Sequence, residues 1–144
     1  MIRVLVIDDR QLFRIWLRRG LKKFPDIRLE WEAADGTDGV TMAAEHRPDV
    51  AIVDIRLDEM DGVEAARQIQ IVSPRTKIIL ISGLFDELMV AKGMGLGVGG
   101  IIAKKESPAT LAAYIRRVQA GEFCCSAGLA PELLCSAVNG GTES

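Results

Sequence analysis

The sequence predicts an α/β fold of the (βα)5 kind, a doubly wound parallel sheet with helices on both faces. Its strand runs are nearly continuous rather than alternating, as in Val4-Leu5-Val6-Ile7, Val50-Ala51-Ile52-Val53 and Ile78-Ile79-Leu80-Ile81, and that is the pattern of strands buried on both faces. Segments of helical period separate them, so the elements alternate β-α-β-α. The connections are short, and short right-handed crossovers between parallel strands give an open sheet with two helical layers.

Each element has a local reason. A strand over residues 2–8 leads to a helix over 10–23, with Leu12, Ile15, Trp16 and Leu21 as its apolar stripe and Phe24-Pro25-Asp26 as its end. A strand over 27–33 precedes a helix over 37–46, with Thr37 or Asp35 as N-cap, and Pro48 separates that helix from a strand over 50–54. Asp61 can cap a helix over 62–72 that buries Val63, Ala66, Ile69 and Val72 and stops at Ser73-Pro74. A strand over 77–82, a short helix over 86–94 and a strand over 99–103 follow. Ser107-Pro108 starts a helix over 108–120, with Leu111, Ile115 and Val118 inward and Gly121 as its stop. Beyond it the pattern weakens; residues 131–138 could form a short helix before a frayed end.

Composition bounds the function. A chain of 144 residues suggests one domain. A net charge of −2 gives no general affinity for nucleic acid, and 5% aromatic content argues against a base-stacking surface. No apolar stretch approaches the ~18 residues of a membrane span, and Met1-Ile2-Arg3-Val4 runs straight into a strand pattern, so the cytoplasm is the expected location. Cys124, Cys125 and Cys135 make a poor disulfide framework and lack metal-site spacing.

The chemistry gathers where the strands end. The first run ends in Asp8-Asp9, the third strand in Asp54, the fourth in Ser82 and the fifth in Lys104. Ligands of open α/β sheets bind outside the carboxyl ends of the strands. Three carboxylates gathered there repel one another, and a hard divalent ion such as Mg²⁺, which favours oxygen ligands and keeps several waters, relieves the conflict. An ion so loosely held suits phosphate oxygens, Lys104 supplies a point charge for phosphate, and Ser82 supplies a donor. No nucleophile paired with a base is in view, so the carboxylate of Asp54 is itself the candidate acceptor.

These residues resemble the receiver domain of two-component response regulators. The resemblance covers about residues 2–121 and rests on Val-Leu-Val-Ile-Asp-Asp, Arg-Pro-Asp-Val-Ala-Ile-Val-Asp, Met-Asp-Gly, Ile-Ile-Leu-Ile-Ser and Gly-Ile-Ile-Ala-Lys in that order. It implies a flavodoxin-like fold with strand order 2-1-3-4-5 and a receiver domain over 1–122, followed by a tail or interdomain linker over 123–144. It implies that Asp54 accepts a phosphoryl group from a sensor histidine kinase. Mg²⁺ would be held by Asp8, Asp9, Asp54 and the backbone carbonyl of Arg56, with Ser82 as the switch hydroxyl and Lys104 as the phosphoryl partner. The family spacing Gly-x-x-x-Lys selects Lys104 over Lys105. The stretch from Ser107 to Glu122 is similar to the LuxR or NarL subgroup, in which the receiver precedes a helix-turn-helix domain. DNA would then be reached only through a domain absent from this chain; a homodimer stays open, and no membrane partner is implied. The alternative is a single-domain regulator acting by protein contact. A Mg²⁺-dependent phosphatase with an aspartate nucleophile is a weaker reading, because Asp8-Asp9-Arg10 does not supply the Asp-x-Asp of the haloacid-dehalogenase-like motif. By the resemblance the chain is no enzyme beyond its own phosphorylation and dephosphorylation.

Three positions depart from the family pattern. Asp58 stands where proline is usual, Ile101 stands where Tyr or Phe is usual and puts a route through an aromatic rotamer in question, and residues 93–100 are rich in glycine. Asp58, Glu59 and Asp61 read as solvated loop acids rather than metal ligands. Gly95-Leu96-Gly97-Val98-Gly99-Gly100 matches the dinucleotide pattern but follows a helix and opens a strand, the reverse of that fingerprint. His46, the single histidine, reads as a surface residue, and the basic run Arg14, Arg18, Arg19, Lys22 and Lys23 as a solvated helix face.

Overall fold

The structure is a computed structural model that describes residues 1–84 and 87–126. The elements run β1 (Ile2–Ile7), α1 (Gln11–Leu21), β2 (Ile27–Ala33), α2 (Gly36–His46), β3 (Val50–Asp54), α3 (Gly62–Val72), β4 (Lys77–Ser82), α4 (Glu87–Leu96), β5 (Gly100–Ala103), α5 (Pro108–Gln119) and β6 (Cys124–Cys125). The strands form one parallel sheet in the order β2-β1-β3-β4-β5-β6. The expected order of five is therefore present, with a sixth short strand added at the β5 edge.

The continuous apolar runs have a direct structural reason. Alternate residues of β1, β3, β4 and β5 enter two separate cores. Leu5, Ile7, Ala51, Val53, Ile78, Leu80 and Ile101 face α2, α3 and α4, where they meet Ala43, Ala66, Ile69 and Val90. Val4, Val6, Val50, Ile52, Ile79, Ile81 and Ile102 face α1 and α5, where they meet Leu17, Leu21, Leu111 and Ile115. A strand with a core on each side has no polar face to show.

The caps follow the sequence closely. Asp35 rather than Thr37 caps α2, accepting from the Asp38 N–H at 2.8 Å; Asp61 accepts from the Glu64 N–H at 2.8 Å, and Ser107 from the Thr110 N–H at 3.1 Å. The glycine-rich stretch ends α4 in a Schellman motif. Gly97 takes φ +73°, its N–H donates to the Met94 carbonyl, and the Val98 N–H donates to the Gly93 carbonyl. The stretch does follow a helix and open a strand, so the dinucleotide context is absent.

Three expectations need correction. The stripe of α1 that meets the sheet is Phe13, Leu17 and Leu21, not Leu12, Ile15 and Trp16. Leu12 is 82% exposed and Trp16 39% exposed, and both lie beside Pro108 of α5. Val72, expected inside α3, is exposed as well. The chain after α5 does not simply trail off, because Cys124–Cys125 pairs with β5. The short helix expected over 131–138, and Cys135 with it, lie outside the described residues.

Candidate functional site

Strand direction brings the predicted residues together. β1, β3, β4 and β5 are parallel neighbours in register, so Asp8 and Asp9 just beyond Ile7, Asp54, Ser82 and Lys104 emerge along one sheet edge. Backbone bonds carry the ladder past the strand ends: Asp8 N–H donates to the Ala33 carbonyl, Ile55 N–H to Ile81, and Lys104 N–H to Ser82. Gly62 sets the close approach of α3 behind Asp54, since a Cβ at that position would stand 2.0 Å from the Asp54 carbonyl oxygen.

The polar atoms converge tightly. Lys104 Nζ lies 2.8 Å from Asp54 Oδ2 and 2.7 Å from Asp8 Oδ2. The hydrogen bond is directed at Asp54; Asp8 Oδ2, fully buried, is in ion-pair contact with the ammonium yet receives no well-aligned hydrogen bond. Its other oxygen accepts from the Arg10 N–H at 2.8 Å. The Arg56 N–H donates to Asp54 Oδ1 at 3.0 Å. Asp8, Asp9 and Asp54 each offer a carboxylate oxygen within 4.8 Å of the others. Burial pushes the Asp8 carboxyl up; Lys104 and the Arg10 N–H pull it back, and the charge of Asp54 adds to the upward push.

This arrangement fits a divalent cation by its own chemistry. Hard oxygen donors of like charge are gathered at one point, and one buried carboxylate oxygen among them has no aligned donor. Asp9, Asp54, Arg56, Ser82 and Lys104 line an open cavity of about 450 Å³. The Ser82 side chain is buried and its hydroxyl donates to the Leu84 carbonyl at 2.8 Å. Lys105 is exposed and takes no part in these contacts, in keeping with the choice of Lys104.

Several contributors were not legible in the sequence. Phe13 lies under the Lys104 ammonium, 4.7 Å from ring centroid to Nζ. Ser126 binds back to the β5 end beside Lys104: its hydroxyl accepts from the Ala103 N–H at 2.8 Å and donates to Glu106 at 3.1 Å. Asp58 is exposed, as expected of a loop acid, but it lines the same cavity, and the charge of Asp9 pushes its carboxyl up. Its departure from the usual proline was the one signal available in the sequence. Elsewhere, His46 stacks on Trp31 with ring centroids 4.8 Å apart, away from these residues. Arg14 and Arg18 of the basic helix face pair with Glu32 at 3.5 and 2.6 Å. Among the described residues, no helix is long and apolar enough to cross a membrane.

Comparison with known proteins agrees with this fold. The family model described as "Response regulator receiver domain" matches residues 4–116. The chain is 38% identical over 122 residues to the transcriptional regulatory protein LiaR of Bacillus subtilis (strain 168), covering 85% of this chain and 58% of that protein. It is 33% identical over 121 residues to the response regulator protein VraR of Staphylococcus epidermidis, covering 84% of this chain and 58% of that protein. The chain thus spans under two thirds of the length of these relatives. Among solved structures, the signal receiver domain of the response regulator NarL from Mycobacterium tuberculosis superposes with a TM-score of 0.79 at 28% identity, covering 84% of this chain and 98% of that one. A LuxR-family response regulator from Aurantimonas sp. SI85-9A1 shares the fold, with a TM-score of 0.82 at 23% identity over 100% of this chain and 99% of that one. With the strand order, the strand-end acids and Lys104 already in place, these matches settle the family: this chain belongs to the response regulator receiver domains, of the LuxR/NarL type.

Proposed function

We propose that the chain is the phosphoacceptor module of a two-component system and that Asp54 receives the phosphoryl group. The observation that carries this reading is the Asp54 carboxylate on β3, 4% exposed, with Lys104 at 2.8 Å and two further acids beside it. In the proposed step an Asp54 oxygen attacks the phosphorus of a phosphohistidine on the kinase. The P–O bond forms as the P–N bond breaks, and the electron pair stays on the imidazole nitrogen, which takes up a proton. Mg²⁺, held by the Asp8, Asp9 and Asp54 carboxylates and the Arg56 carbonyl, would supply positive charge against the phosphoryl oxygens.

The chain's own groups do the rest. Lys104 turns from the carboxylates to a phosphoryl oxygen, and Ser82 exchanges its bond to the Leu84 carbonyl for one to the phosphoryl group. Added charge at the sheet edge then biases an existing two-state equilibrium, with Ser82 and the α4–β5–α5 side carrying the change. Ile101 is fully buried in the core shared with Leu80 and Val90, so this reading needs no aromatic rotamer. The partner is a sensor histidine kinase in the cytoplasm. The receiver takes in β6 at Cys124–Cys125, just past the expected bound at residue 122, and output runs to transcription through a DNA-binding domain beyond this chain, as the name of the Bacillus subtilis relative suggests. The coding sequence that follows Ser144 in the source gene decides that last part.

The experiment is incubation with acetyl phosphate, followed by separation on a phosphate-affinity gel. Wild type should gain one slow-migrating form in Mg²⁺, lose it in EDTA, and show none as Asp54→Asn. A wild type that gains no phosphate with Mg²⁺ present would overturn the reading.

A further inference from the structure

Asp58 brings a fourth acid to the sheet edge. It sits four residues past Asp54 in the β3–α3 loop and faces the cavity that Asp9, Asp54 and Arg56 also line. Its carboxyl shares that cavity with Asp9 and carries the same charge. It is not one of the three residues whose ligand oxygens lie within 4.8 Å of one another. Its place is therefore one layer out, on the Asp9 side.

The charges around this cavity are unevenly matched. Among the ion pairs of the described residues, Lys104 meets Asp8 and Asp54, and none reaches Asp9 or Asp58. The buried Asp8 Oδ2 also lacks an aligned hydrogen bond. Two acids of one cavity that meet no cation among the described residues suit an ion that arrives with water attached. Mg²⁺ keeps several of its waters when it binds, and those waters need acceptors. Groups one layer out orient the direct ligands and tune affinity.

We propose that Asp58 is a positioning carboxylate for a divalent cation at this site, accepting hydrogen bonds from the ion's waters on the Asp9 side. The proposal rests on the reading of Asp8, Asp9 and Asp54 as the metal side of the site. A proline at this position, the residue usual in the family, offers neither the charge nor a side-chain acceptor. The consequence is a receiver that takes up its cation more readily before any phosphoryl group arrives.

The test is calorimetric titration of the full 144-residue chain with MgCl₂ and with MnCl₂ at fixed ionic strength, alongside Asp58→Asn, Asp58→Pro, Asp58→Glu and Asp8→Asn. Asp58→Asn and Asp58→Pro should each weaken binding about five- to tenfold, and Asp58→Glu should recover most of that loss. The loss should shrink in high salt, which screens an exposed charge. Amide NMR spectra in metal-free buffer establish that each variant is folded. Wild-type affinity in both Asp58→Asn and Asp58→Pro overturns the proposal and leaves the metal site standing, with Asp8→Asn then the variant that loses binding. A wild type that binds neither ion overturns the metal reading itself and this proposal with it.

Discussion

Lys104 decides the electrostatics of the site, because among the described residues it alone neutralises the buried pair Asp8 and Asp54. Removing one partner from such a cluster leaves carboxylates uncompensated in a poorly solvated place. Lys104→Met should therefore destabilise the metal-free protein by about 2 kcal/mol, below the full loss seen for enclosed pairs because the ammonium keeps some access to water. Saturating Mg²⁺ should restore part of that, and urea unfolding with and without the ion reads both values. Unchanged stability in metal-free buffer would show that the ammonium does not compensate these acids. Gly62→Ala is a second residue-scale case. The added methyl meets the Asp54 carbonyl, so a loss of about 1–3 kcal/mol from overpacking is expected in the same assay. The site's main residues were legible because each stands at a strand end, where chain direction alone dictates position. Asp58 was less so: a charged loop residue is usually solvated, and only the path of the β3–α3 loop turns this one toward Asp9.

At the scale of elements, the sequence read best where a cap and a breaker frame a period. β3, α3 and β4 have the bounds expected of them because Asp61 and Ser73-Pro74 mark the ends of α3. α1 was misread for a physical reason. It carries two apolar rows at helical spacing, Leu12–Ile15–Trp16 and Phe13–Leu17–Leu21, and periodicity cannot tell which one meets the sheet. Packing chose the second and left Leu12 and Trp16 at the surface. β6 was invisible because two residues carry no period at all. Its pairing is nonetheless anchored: the Ser126 N–H donates to the Ile101 carbonyl, and the Ser126 hydroxyl accepts from the Ala103 N–H. Ser126→Ala should cost about 1 kcal/mol by leaving the part-buried Ala103 N–H unpaired. It should also speed hydrogen exchange at Ala103 and Cys124 more than in β1. Exchange at those amides equal to wild type would remove Ser126 as the anchor of this edge.

At the scale of the molecule, the two helical layers are tied to the sheet by contacts far apart in sequence. Asp26, at the entrance to β2, accepts from Arg116 of α5 through both oxygens, at 2.7 and 3.0 Å. The guanidinium holds the Asp26 carboxyl below its ordinary value. A depressed carboxylate contributes stability above its unfolded value, and that contribution fades as pH falls through the native one. The pair is about half exposed to solvent, so the effect is small, and its signature is the titration itself. Carboxyl NMR should show Asp26 titrating below the ordinary aspartate range in wild type and moving up in Arg116→Gln; identical titrations would mean the pair does not form in solution. The doubly wound layering was the most legible feature of all, since uninterrupted apolar strands require a helical layer on each face, while the strand order came with the family resemblance. The central claim concerns what that order assembles at its carboxyl edge, and the most direct measurement maps the phosphoryl group. The protein is treated with acetyl phosphate and Mg²⁺, the acyl phosphate is trapped by borohydride reduction, and peptides are sequenced by mass spectrometry. The account predicts a single modified position, Asp54, absent from Asp54→Asn. Modification at Asp8, Asp9 or Asp58 with Asp54 intact would contradict it.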